Sequence, residues 1–280
     1  MIPALLLTVL VQSPAPLPVP AAAPARVDWL GWIARAEQEP REVVPLLLAA
    51  GETLAGLDGR ERQFFGDRLE PLLARVYFSS ERFSGDEELG VGVHVVASGD
   101  TGAKIGKRHG FGHGLLASWN AKYDERRLGV GQKLKHLAFA PGELELVVDR
   151  ALFRLSAWHA SADGRRTPLF FIPVGLGAAD SPTPLGVTKV VERVQDPSWT
   201  DPETKVTYRA DDPRNILGGW WIELDEEPLG QSGIGLHGYT GAPTADWLSK
   251  PGSHGCVRMR QEDCARVFHL ALEGTRVLIR

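Results

Sequence analysis

The chain has 280 residues, 43% hydrophobic and 24% charged, with a net charge of −4. That length suits about two domains and the composition is ordinary for globular protein, while the negative balance argues against a general nucleic-acid binder. The charge is uneven: residues 91–141 hold eight Lys/Arg against three acids, which suits approach to an anionic polymer or surface as well as a plain solvated face.

Residues 1–25 read as a signal peptide. Ile2 to Val11 is an apolar run too short to span a bilayer, and Ala23 and Ala25 fit a small-x-small cleavage site before Arg26. No Lys or Arg precedes the run, so a misassigned start or an unstructured tail stays open. The expectation is an exported protein of the periplasm or cell wall, without stable membrane insertion, because no other segment is apolar enough to cross.

Residues 26–84 form a helical unit of unknown role. Trp29, Leu30, Ile33 and Ala34, then Val43, Val44, Leu46 and Leu47, then Phe64, Phe65, Leu69, Leu72, Leu73 and Val76 recur at helical spacing. Pro40, Pro45 and Pro71 are expected in first turns, where a missing N–H costs least. Ser84 to Gly90 reads as a polar linker.

Residues 90–140 read as a small βααβ unit. A strand over Val91–Val96 is followed by a turn at Ser98–Thr101 and a helix through Ile105. A second helix ends near Trp119–Asn120, and Lys133–Leu137 closes the unit as a strand. Residues 142–280 change character. Strands are expected at 144–149, 152–158, 168–174, 186–194, 219–224 and 233–237, with a hairpin at Asp163-Gly164. One helix is expected at 260–272, opened by Glu262 and Asp263, before a last strand from Thr275 to Ile279. The fold class is therefore multidomain, with a β-rich domain holding one helix behind an α-helical unit and a βααβ unit.

The chemistry concentrates at Ser253-His254-Gly255-Cys256-Val257-Arg258-Met259. A thiol is a good nucleophile only as thiolate, and its neighbours decide how easily that form is reached. His237, in Ile234-Gly235-Leu236-His237-Gly238, can take the proton, since imidazole titrates near neutral pH. No Asp or Asn stands at an obvious third position, so a backbone carbonyl could orient His237. The N–H groups of Gly255 and Cys256 are expected as oxyanion donors, at a turn leading into a helix. Cys264, eight residues after Cys256, would lie about 12 Å away along a helix, beyond disulfide reach, and reads as a buried apolar residue.

His237, then fifteen residues, then Ser253-His254-Gly255-Cys256-Val257-Arg258-Met259 resembles the signature of L,D-transpeptidases of the YkuD type. Thr183-Pro184-Leu185-Gly186-Val187 is similar to the family's TPxG strand entry. Asn215-Ile216-Leu217-Gly218, leading to Trp221-Ile222, is similar to its NPLG segment, with Ile216 in place of the proline. The resemblance covers about 143–280 and implies a fold of mixed β-sheets plus one helix for that domain. It implies that Cys256 attacks residue three of a peptidoglycan stem tetrapeptide and expels the terminal D-alanine. It also implies His237 as base, held by the Gly238 carbonyl, with Gly255 in the oxyanion turn. His254 and Arg258 would shape the pocket and engage a substrate carboxylate, Ser253 would support the turn, and Trp221 would line the substrate site. Trp220 and Trp221 suit stacking on sugar or peptide as well as core packing. An amine of a second stem would resolve the thioester to a 3→3 cross-link; water or a wall-protein or lipoprotein amine would give carboxypeptidase or anchoring chemistry.

The βααβ order, with Gly99-Asp100-Thr101, Ile105, Asn120 and Val130-Gly131-Gln132, resembles a LysM glycan-binding module. That implies glycan strands as partners, bound along the Gly99–Thr101 loop and near Asn120. Gly102 stands where such modules carry a large apolar residue, which is expected to weaken the first helix's packing. A wall-binding protein with a catalytically silent β-domain is the alternative of another class. No cofactor and no metal are expected, although His237, His254 and Cys256 also spell a His/His/Cys zinc set.

Overall fold

The computed structural model describes residues 28–140, 142–242 and 244–280; the expected signal peptide lies outside them. Among these residues no helix is long and apolar enough to cross a membrane.

The chain opens with α1 (Trp29–Gln38), α2 (Val43–Gly56) and α3 (Gly59–Tyr77). Asp28 caps α1 by accepting the Gly31 N–H, and Asp58 and Glu61 form a reciprocal capping box on α3. Pro40 lies in a 3₁₀ turn and Pro45 in the first turn of α2, as expected. Pro71 does not: it sits inside α3. An interior proline costs about 3 kcal/mol, and here the burial of Leu69, Leu72, Leu73 and Val76 offsets it.

Next come β1 (Val91–Val95), α4 (Gly102–His109), α5 (Leu115–Trp119) and β2 (Lys133–Leu137). β1 and β2 pair antiparallel, so the four elements follow the βααβ order. Residues 84–90, read as a polar linker, include a 3₁₀ turn in which Leu89 is fully buried and Asp86 pairs with Arg82. The vacancy at Gly102 is filled from another element. A Cβ there would come 2.2 Å from the Tyr123 hydroxyl, so the phenol occupies the space and the helix is not loosely packed.

The remainder is β-rich: β3 (Leu144–Asp149), β4 (Arg154–Ala160), β5 (Arg166–Pro173), β6 (Leu176–Gly177), β7 (Gly186–Gln195), β8 (Trp199–Thr200), β9 (Thr207–Tyr208), β10 (Trp220–Leu224), β11 (Gly235–Gly238), β12 (Pro251–Ser253), β13 (Val257–Met259), α6 (Gln261–Leu270) and β14 (Arg276–Ile279). Eight strands form one mixed sheet in the order β13-β11-β10-β7-β14-β3-β4-β5. The β11–β13 and β14–β3 pairs are parallel and the others antiparallel. β7 pairs along its first half with β14 and along its second half with β10, where a bulge breaks the register.

The helical unit covers the edge strand β5. Glu70 of α3 accepts the Phe171 N–H at 2.7 Å, so an edge group that β4 cannot reach is satisfied. Gly66 lets α3 lie against the Phe171 ring, where a Cβ would come within 2.8 Å. The βααβ unit is fastened to the end of α3. Lys135 Nζ donates to the carbonyls of Val76, Ser79 and Glu81 at 2.7, 2.9 and 2.6 Å, and Trp119 Nε1 donates to Tyr77 O at 2.5 Å. One apolar cluster runs from Ile33 to Ile279 through all three parts.

Candidate active site

β11 and β13 set the site. They run parallel with Leu236 opposite Val257, His237 opposite Arg258 and Gly238 opposite Met259. Leu236 and Val257 are fully buried on the core side. Side chains alternate along strands, so His237 and Arg258 share the other face, and Cys256, two residues before Arg258, falls on it too. His237, Cys256 and Arg258 accordingly line one cleft of about 550 Å³ with Ser253, His254 and Trp221. Trp199 and Pro202 from the β8–β9 hairpin, and Ile216 and Leu217, complete its walls.

His237 is buried, and its Nδ1 lies 2.5 Å from the Gly238 carbonyl. A carbonyl only accepts, so Nδ1 carries the hydrogen and the neutral ring presents Nε2 as its basic atom. Burial drives the imidazole pKa down to about 4, against the opposing pull of the Gly238 bond. Burial also pushes the Cys256 thiol up, while the Gly235 amide and Arg258 pull it down. The resting pair is therefore thiol and neutral imidazole, and the thiol donates to Gly233 O at 3.4 Å.

Ser253 builds the turn in front of the sulfur. Its hydroxyl donates to the Cys256 carbonyl at 2.6 Å and accepts the Gly255 N–H at 3.2 Å. Gly255 has φ +110 and faces Ile234, whose Cδ1 lies 2.7 Å from any Cβ placed there. Both constraints demand glycine. The Gly255 N–H, expected as an oxyanion donor, is thus engaged inside the turn; the Cys256 N–H has no partner among the described residues. The turn also leads into β13 rather than into a helix, because α6 starts only at Gln261. No helix N-terminus therefore assists the thiol.

The remaining motifs support this turn from behind. Thr183 is buried and its hydroxyl accepts the Gly177 N–H at 2.9 Å. β6 in turn pairs with β12, with Gly177 opposite Ser253 and Ala178 N–H donating to Ser253 O at 2.8 Å. Asn215 donates to Pro197 O and Arg209 O and accepts the Leu217 N–H, so it shapes the wall at Ile216–Leu217. Ile216 O accepts the Thr240 N–H at 3.1 Å, tying that wall to the chain just beyond Gly238.

His254 is mostly exposed at the cleft rim, 3.8 Å from Glu203 of the β8–β9 hairpin. Arg258 is half-buried, donates to Gly252 O at 2.9 Å and lies 4.2 Å from the Tyr239 ring centroid. Its buried Nε has no hydrogen-bond partner among the described residues. Trp221 stands beside His237 with ring centroids 5.8 Å apart. Cys264 is buried in α6 and both cysteines are free. Among the described residues no group of three or more His, Cys, Asp or Glu is arranged to hold a metal ion. Sequence reasoning passed over Ile234 and Gln261, which pack against the site's glycines; only the unusual glycine density nearby hinted at such close approach.

The residues expected to touch glycan lie together in the βααβ unit, with their side chains engaged internally. Asp100 accepts from Ala97 N–H and His94 and pairs with Arg108. Thr101 caps α4 by accepting the Lys104 N–H. Asn120 exchanges hydrogen bonds with the Lys135 backbone and donates to Leu116 O. Gly99, at φ +80, has open space around its α-carbon.

Residues 144–279 match the family model of YkuD, described as the L,D-transpeptidase catalytic domain. A Bacillus subtilis (strain 168) protein, YqjB, whose name places it provisionally among the L,D-transpeptidases, is 31% identical over 106 residues. That alignment covers 38% of this chain, and the chain spans 56% of the relative's length. Among solved structures, an L,D-transpeptidase from Stackebrandtia nassauensis is 22% identical with a TM-score of 0.34, over 51% of this chain and 57% of that one. An Enterococcus faecium L,D-transpeptidase is 20% identical with a TM-score of 0.37, over 54% of each chain. A Mycobacterium smegmatis L,D-transpeptidase is 16% identical with a TM-score of 0.37, over 72% of this chain and 87% of that one.

Proposed function

We propose that this protein is a cysteine acyltransferase that cross-links peptidoglycan stem peptides, a reading supported by the match of residues 144–279 to the YkuD family model. The observation that carries the reading is the shared cleft of Cys256 and His237, with the His237 Nδ1–H committed to the Gly238 carbonyl and Nε2 left as base.

The Cys256 sulfur attacks the carbonyl carbon of stem residue three as its proton passes to His237 Nε2. The oxyanion that forms is met by the Cys256 N–H. The bond to the terminal D-alanine breaks, and His237 returns the proton to the departing amine. An amine of a second stem then attacks the thioester, gives its proton to His237 and frees the thiol, leaving a 3→3 cross-link. Arg258 supplies the cation for a stem carboxylate, and His254, Trp221 and the β8–β9 hairpin frame the peptide. Stem peptides are strung on glycan, and the βααβ unit is proposed to hold that polymer. With Asp100, Thr101 and Asn120 engaged internally, its contact falls to the exposed backbone of the Gly99 loop. The substrate lies in the wall, which places the protein outside the cytoplasmic membrane.

A carbapenem provides the test, since its ring carbonyl takes the place of the stem carbonyl. Purified protein should gain the mass of one carbapenem, and Cys256→Ala should gain none. An adduct on the alanine variant would overturn the assignment of the nucleophile. Incubation with sacculi, followed by digestion and mass identification of the fragments, should show new cross-linked dimers; trimming alone would make water the acceptor.

A further inference from the structure

Gln261 opens α6, and its side chain reaches back between two motif glycines. A Cβ on Gly218 would lie 2.1 Å from Gln261 Nε2, and a Cβ on Gly238 would lie 2.3 Å from the same atom. The amide therefore lies flat between both α-carbons, one next in sequence to the cleft-lining Ile216–Leu217 and one in β11. Its Oε1 accepts the Gly219 N–H at 3.2 Å, which fixes the oxygen end. The Nε2 end is buried and has no partner among the described residues. An unpaired buried amide is costly, so an apolar side chain of similar volume would serve packing better. Something other than packing favours glutamine here.

What Gln261 touches is the support of the base: Gly238 provides the carbonyl that receives the His237 Nδ1–H. We propose that Gln261 is a positioning residue for His237, holding the Gly238 peptide against the Gly218–Gly219 turn so that the imidazole stays in the Nδ1–H tautomer with Nε2 available to the thiol. The inference rests on the reading of His237 as the base. The device is local: Gln261 stiffens the Gly218 turn and β11 together, and neither glycine can carry a side chain while the amide lies there. Loss of the amide frees the Gly238 carbonyl to tilt, and the ring then divides between tautomers, only one of which can take the proton.

The test uses the full chain as wild type, Gln261→Ala and Gln261→Met; the methionine variant keeps the bulk and loses only the Gly219 bond. Nitrogen NMR of the His237 imidazole reads the tautomer without requiring turnover, and mass-detected carbapenem acylation against pH reads the base. Wild type should show one Nδ1–H tautomer. Both variants should show mixed tautomers, acylation slowed by roughly tenfold, and an acid limb moved from the wild-type position. Tautomer and acid limb unchanged in both variants, whatever happens to the thermal midpoint, would overturn the proposal, as would a wild-type ring in the Nε2–H form. Wild type with a fixed Nδ1–H ring but no carbapenem adduct would overturn the acyltransferase reading instead, and the NMR comparison would still decide the role of Gln261.

Discussion

At the scale of single residues, the site is a set of small groups whose backbones are pressed together. Ser253 bridges Gly255 N–H and Cys256 O, and Gly255 adopts a left-handed φ against Ile234. Ser253→Ala leaves both backbone groups without the hydroxyl, at a cost of about 1–3 kcal/mol. We expect its carbapenem acylation to fall by at least roughly tenfold; wild-type acylation by the alanine variant would show that the turn holds itself. Cys256 and His237 stood out from their motif, and the structure brings them to one cleft with His237 Nδ1 at the Gly238 carbonyl. The engagement of the Gly255 N–H was not legible in the sequence, because one hydroxyl can reach either of two backbone groups and only the folded turn decides.

At the scale of elements, the structure explains departures that composition leaves open. Gly102 looks like a missing core residue until Tyr123 is seen above it. The Tyr123 hydroxyl is buried and has no hydrogen-bond partner among the described residues, so Tyr123→Phe should raise stability by about 1 kcal/mol. Gly102→Ala should be destabilising in the Tyr123 background and close to neutral beside Tyr123→Phe, a non-additivity that a thermal double-mutant cycle would measure; strictly additive midpoints would mean the two do not touch. Lys135 joins the βααβ unit to α3 through three carbonyls. Lys135→Met should cost about 1–3 kcal/mol, read as a lower denaturant midpoint with an unchanged slope, and a neutral result would sink the latch. Strand positions such as 144–149 were readable because apolar content and turn residues mark them. The short strands β6, β8, β9, β12 and β13 were not, since two or three residues carry no periodicity.

For the whole molecule, buried histidines set the response to acid. His109, His237 and His269 are each lowered to about 4, chiefly by burial, and His136 is lowered by the same cause. Unfolded, each titrates near 6.5. Between those values the unfolded chain binds more protons, so this contribution is full above about pH 6.5 and is lost as pH falls toward 4. Glu70 opposes it: burial raises its carboxyl from 4.5 to about 7, so the folded protein keeps a proton that the unfolded chain has released, and stability declines as pH rises through that window. Several histidines outweigh one glutamate, and the thermal midpoint should be lower at about pH 4.5 than at about pH 7. Glu70→Gln should steepen the dependence; a midpoint that is flat or rises on acidification would contradict the account.

Sequence by itself singled out Cys256 and His237, the pair proposed as nucleophile and base, together with the β-rich part that carries them and the order of helices and strands before it. These follow from residue chemistry and from periodicity, which are local. Only the tertiary structure decided that the helical unit covers the edge of β5, that Lys135 and Trp119 fasten the βααβ unit to α3, that the Ser253–Cys256 turn feeds a strand, and that Gln261 lies between Gly218 and Gly238. Each of these joins residues far apart in the chain, where contact depends on packing volume and backbone hydrogen bonding rather than on any pattern a neighbourhood of sequence contains.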